Sequence, residues 1–141
     1  MRKFLLALAL ALCAPAPVIA QGPIVGPGNL IICTKTAQAS PAAAGTLSLV
    51  NGVANQSIFI CGWHVTSNQT TSSTFQLVYG TQGGPCSTPT NMTPAFAVTS
   101  NAPSADHIDY VTIQAALGAQ VCVTSAGSTV GQAVLIYYNQ F

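Results

Sequence analysis

The chain contains no glutamate and a single arginine, Arg2. Charged residues make up 4% of it, and beyond position 20 only Lys35, Asp106 and Asp109 are ordinarily charged. A surface that tracks phosphate needs clustered lysine or arginine, so the composition argues against nucleic-acid binding. Basic attachment to an anionic bilayer fails for the same reason. Glycosidase chemistry needs paired carboxylates. The two aspartates are three apart, which projects them to opposite faces if both sit in one strand. No GxSxG nucleophile elbow occurs. There is no CxxC knuckle for zinc, and no convincing long helical period. After position 20 no apolar run is long enough for a membrane helix. Half of the residues are nevertheless hydrophobic, which fits poorly with disorder.

What is present begins with MRKFLLALALALCAPAPVIA. Arg2 and Lys3, the apolar run Phe4 to Ala14 and the residues Val18-Ile19-Ala20 are laid out as a secretory signal peptide over 1–20, cut near Ala20. A lipoprotein reading through Cys13 is disfavoured, because Leu12 stands where a small residue is expected. The mature chain is expected to be secreted, periplasmic or at the cell surface, with a Gly- and Pro-rich lead-in over 21–29 and one domain over 30–141.

Of the five cysteines, Cys33, Cys61, Cys86 and Cys122 lie beyond the leader. An even number in an exported chain predicts two disulfides, with three pairings open. Short alternating segments recur between turn signals. In 56–66, strict alternation puts Ile58, Ile60, Gly62 and His64 on one face and Phe59, Cys61, Trp63 and Val65 on the other. In 74–80, Phe75, Leu77 and Tyr79 share a side. Tyr137 and Tyr138 point to opposite faces of the last strand. Asn51-Gly52 is a tight-turn signal, and Thr112 to Leu117 has room for a single helical turn. The pattern predicts an all-β fold: one antiparallel, jelly-roll-like sandwich of about seven to nine short strands. A membrane barrel is disfavoured by segment length and by Asn139 near the chain end.

Candidate chemistry is sparse. The stretch VYGTQGGPCSTPT, residues 78 to 90, has the glycines of a phosphate loop. It lacks the following helix and the lysine, and Pro85 removes an amide donor. Cys86 reads as a staple tying this loop back, leaving a displayed, covalently anchored surface. His107 and Asp109 share a strand face, but two ligands fall short of a metal site. Trp63 beside His64 offers a pair that could stack on a sugar, against the more ordinary packing role. The residues offering a ligand surface are therefore Trp63, His64, Tyr79, His107 and Asp109. No catalytic residue, metal ligand or cofactor is expected.

The order of Cys33-Thr34, QSIFICGWHVTS (56–67), STFQLVYGTQGGPCSTPT (73–90), AQVCVTS (119–125) and GQAVLIYYNQF (131–141) resembles a group of small β-sandwich proteins. They occur in bacterial, phage and metagenomic sequences, and some resemble phage virion or tail-associated modules. The resemblance implies a sandwich in an exported or virion-surface setting and no catalytic residues. The leader departs from a cytoplasmically assembled virion protein and favours a bacterial exported one. The expectation is an exported non-enzymatic surface or structural module that binds glycans or a protein partner, or self-assembles. The alternatives are a phage-derived virion component and a small exported enzyme or metal-binding protein using His64 or His107/Asp109.

Overall fold

The computed structural model describes residues 25–26, 30–67, 72–98, 105–127 and 132–141; among these, the side chains of 25, 26, 30, 67, 105–112 and 132 are outside the description. The expected leader and most of the lead-in fall outside the described residues. The strands are β1 (Val25–Gly26), β2 (Leu30–Ile31), β3 (Lys35–Ala39), β4 (Gly45–Val50), β5 (Ile58–Ser67), β6 (Ser73–Thr81), β7 (Ser87–Asn91), β8 (Phe96–Val98), β9 (Ala105–Gln114), β10 (Gln120–Gly127) and β11 (Gln132–Gln140). No helix occurs among the described residues, so none there is long and apolar enough to cross a membrane.

One sheet has the order β3-β11-β5-β9. The other runs β4-β10-β6-β7, with β8 also pairing β6, and β1 pairs β2 alone. Every pairing is antiparallel. The chain runs out through β3 to β6, switching sheets at each step, and returns through β7 to β11. On the way back β11 inserts between β3 and β5, and β10 between β4 and β6. That is a jelly roll. Among the described residues no strand pairing joins the two sheets at their outer strands.

The core lies between the sheets. Ile58, Ile60, Trp63, Val65, Val134 and Ile136 come from one, and Phe75, Leu77, Val121 and Val123 from the other. Along β6 the alternation is regular, so Phe75 and Leu77 are buried and Tyr79 packs on the core's rim. Tyr138 faces the core while Tyr137 is exposed, as opposite faces require.

β5 departs from strict alternation. Its register shifts against both neighbours between Ile60 and Gly62: against β11 Cys61 is an extra residue in the ladder, while against β9 the surplus lies on β9, between Ile108 and Ile113. A bulge of this kind flips the facing of everything beyond it. Ile58 and Ile60 point inward before it, Trp63 and Val65 after it. Regular pairing would have exposed one of these apolar pairs, at roughly 1.5–3 kcal/mol per large side chain.

Asn51-Gly52 forms no two-residue hairpin, because β4 and β5 belong to different sheets. Gly52 instead lies where the 118–119 backbone crosses: a Cβ there would sit 2.7 Å from the Ala119 carbonyl carbon. The helical turn allowed over 112–117 is absent. β9 runs to Gln114, and a bond from the Ala119 N–H to the Ala116 carbonyl, 3.0 Å, closes a short turn. Gly118 carries a φ of 74° there, a left-handed value that favours glycine.

Candidate functional site

The cysteines pair as Cys33–Cys61 and Cys86–Cys122. All four are consumed, so none is a nucleophile or a thiolate metal ligand. Two disulfides are consistent with an oxidising, extracellular location. Among the described residues no three of His, Cys, Asp and Glu gather as a metal would require.

The stretch 78–90 is a hairpin. β6 and β7 pair through Tyr79 with Thr90 and Thr81 with Ser87, and the register shifts between. Gly80 sits in that shift. A Cβ on it would lie 2.6 Å from the Ser87 carbonyl oxygen and 3.0 Å from Cys86, so only glycine fits. Gly80→Ala is expected to destabilise the protein by about 1–3 kcal/mol. A chemical-denaturation midpoint unchanged from wild type would contradict this packing.

The loop folds back over the outer face of β6 and β10. There Cys86 joins Cys122 and packs with Val78 in a small cluster separate from the main core. The buried Gln120 holds the loop from beneath. Its amide donates to the Thr81 carbonyl at 3.1 Å and to the Gly84 carbonyl, and its Oε1 accepts from Ser48. From above, the Gln82 amide donates to the Gly52 carbonyl at 2.6 Å. Cys86 and Thr88 are both left-handed, with φ of 48° and 49°. For the β-branched Thr88 this is real strain, worth on the order of 1–3 kcal/mol and characteristic of ligand sites.

Beside this hairpin lies a cleft of about 390 Å3. One wall presents Tyr79, Thr81, Gln82, Thr88 and Thr90; the other is the β9–β10 turn, Ala116 to Ala119. Leu117 stands at its mouth, 66% exposed. Tyr79 reaches the cleft as the continuation of the inward row of Phe75 and Leu77. Among the described residues no acidic, basic or histidine side chain lines the cleft. The lining is apolar surface, hydroxyls and one amide, which can hold an uncharged ligand by contact and hydrogen bonds.

Trp63 and His64 lie elsewhere. Trp63 is 4% exposed and packs on Phe96, ring centroids 5.4 Å apart. The Trp63–His64 stacking pair is therefore corrected: the bulge turns the indole into the core, and His64, the next residue in the strand, faces the other way. His64 is half-buried on the outer face of the four-stranded sheet, in register with Leu135. Backbone register sets His107 beside Trp63 and Asp106 beside His64. The side chains of His107 and Asp109 lie outside the described residues. Of the three predicted residues whose side chains are described, the cleft takes in Tyr79 and neither Trp63 nor His64. Sequence reasoning singled out the stretch 78–90, which holds Thr88 and Thr90, as a displayed surface, but missed Leu117 and the β9–β10 turn, which carry no motif.

The chain matches no protein-family model, and comparison with curated proteins finds no match.

Proposed function

We propose that this protein is an exported, non-enzymatic surface module that binds neutral, hydroxyl-rich ligands, glycans above all, in the cleft between the β6–β7 hairpin and the β9–β10 turn. The observation that carries this reading is the uncharged lining of the cleft. Moving a charged ligand out of water needs a compensating charge, and the described lining offers none. A sugar ring needs an apolar surface for its C–H face and hydrogen-bonding groups for its rim. Tyr79 and Leu117 supply the first, and Thr81, Gln82, Thr88 and Thr90 the second. The covalently pinned hairpin supports the reading further, since a preformed site loses less entropy on binding. Jelly rolls serve in lectins and capsids alike, so the cleft, not the fold, supports the choice.

The test is a glycan array followed by titration of the best neutral hit. Leu117→Arg, at an exposed position, is expected to weaken binding at least about tenfold, or 1.4 kcal/mol. The reading fails if no neutral glycan binds at millimolar concentration, or if binding survives both Leu117→Arg and Tyr79→Ala unchanged.

A further inference from the structure

The sheets end in outer strands whose free backbone edges are open to pairing, and such edges are normally blocked by proline, charge, irregularity or shortness. β7 carries Pro89, and β8 beyond it has three residues preceded by Pro94. β3 opens with Lys35. β9 holds Asp106 and Asp109, its register with β5 is broken, and β2 lies against it. β4 reads GTLSLV: no proline and no charge. It has β10 on one side and, among the described residues, no strand on the other. From Gly45 to Ser48 it runs in unbroken register with β10, and the irregularity comes only beyond Ser48. Leu47 lies in the inward row with Val123 and Leu77 yet remains 37% exposed, because no described residue covers the sheet's rim there.

We propose that two copies of this chain pair antiparallel through β4, joining their five-stranded sheets into one continuous sheet. The occupant is a second copy because the segment is self-complementary about a two-fold axis. Pairing about Leu47 sets Leu47 against Leu47 of the other copy on the inward face and Thr46 against Ser48 on the outward one, all uncharged. A closed two-fold contact is the commonest form of self-association. The formal net charge of +1 raises no repulsion between copies. The pairing segment is short, so the interface belongs to the transient class, below roughly 1,200 Å2, and is concentration-dependent. β7 occupies the opposite end of the sheet order, so the cleft stays open and a dimer displays two of them. Two clefts on one particle raise avidity for a repetitive ligand. The pairing does not depend on what the cleft binds.

Sedimentation velocity of the disulfide-bonded protein tests this. The expected result is a monomer–dimer equilibrium that Leu47→Lys weakens at least about tenfold, while Leu117→Lys leaves it unchanged. Hydrogen exchange on the wild type gives a reading independent of how the variant folds. Amides of 45–48 gain protection as concentration rises, and those of β3 and β7 do not. A strictly monomeric protein at roughly 500 µM overturns the proposal. So does a dimer whose new protection falls on β3, β7 or β9.

Discussion

Replacing Phe75 with alanine is expected to lower the free energy of unfolding by about 3–5 kcal/mol. Phe75 is fully buried in β6 and stacks on Phe96 of β8, with centroids 5.2 Å apart. Phe96 also meets Trp63 of the opposite sheet at 5.4 Å. The three rings tie β6, β8 and β5 together, so truncation leaves a void touching both layers, which the surroundings cannot fill by a single side-chain rotation. A domain of this size holds on the order of 5–15 kcal/mol in total. The variant should therefore melt roughly 10–25 °C below wild type. Leu117→Ala, at an exposed position, should stay within about 0.5 kcal/mol. Chemical denaturation of both variants checks the contrast, and a Phe75→Ala loss under about 1 kcal/mol would mean that the rings do not form a close-packed junction.

β6 was readable in the sequence because Phe75, Leu77 and Tyr79 recur at every second position and β10 keeps register with it along its length, so that row is one face of the sheet. β5 was not, because a bulge adds a residue without leaving a local signature. Ile58, Ile60, Trp63 and Val65 look like residues of two faces until the partner strands impose the shift at Cys61. The same shift decides the fate of both neighbours: it turns Trp63 into the core and His64 outward. Asn51-Gly52 misled for a related reason: a turn dipeptide reports local bending and not which sheet the next strand joins. Cysteine number and compartment predicted two bridges, but pairing is a property of topology, since Cys86 reaches Cys122 only after the hairpin folds over β10. One wall of the cleft lies within the stretch 78–90, legible as a displayed surface; the other, 116–119, was not, because only the folded sandwich brings the two together.

Removing Cys86 and Cys122 together is expected to be more damaging than removing Cys33 and Cys61 together. The bridges span 36 and 28 residues. Loop-closure entropy assigns each about 3.6–3.8 kcal/mol, too close to rank them. The native surroundings differ. Without its disulfide, the segment around Cys33 keeps a second tether: Asn139 accepts from the Thr34 N–H at 3.0 Å and its hydroxyl at 2.9 Å, and donates to the Ile32 carbonyl. The hairpin loop would keep the Gln120 and Gln82 bonds, about 1 kcal/mol net each. Against these stand two left-handed non-glycine residues, Cys86 and Thr88, at on the order of 1–3 kcal/mol apiece. Ordering each loop residue opposes the fold by a further 1–2 kcal/mol, roughly. Three hydrogen bonds do not outweigh that sum, so the loop should leave the face of β10 once the covalent bond is gone. The Cys86→Ala/Cys122→Ala protein should then unfold at least about 1 kcal/mol more easily than Cys33→Ala/Cys61→Ala. It alone should be cut within 82–88 by a protease before global unfolding. Equal stabilities and equal resistance to cutting would show that Gln120 and the packing of Gly80 hold the cleft wall without the bridge. The strain at Thr88 would then have to be stabilised by those contacts alone.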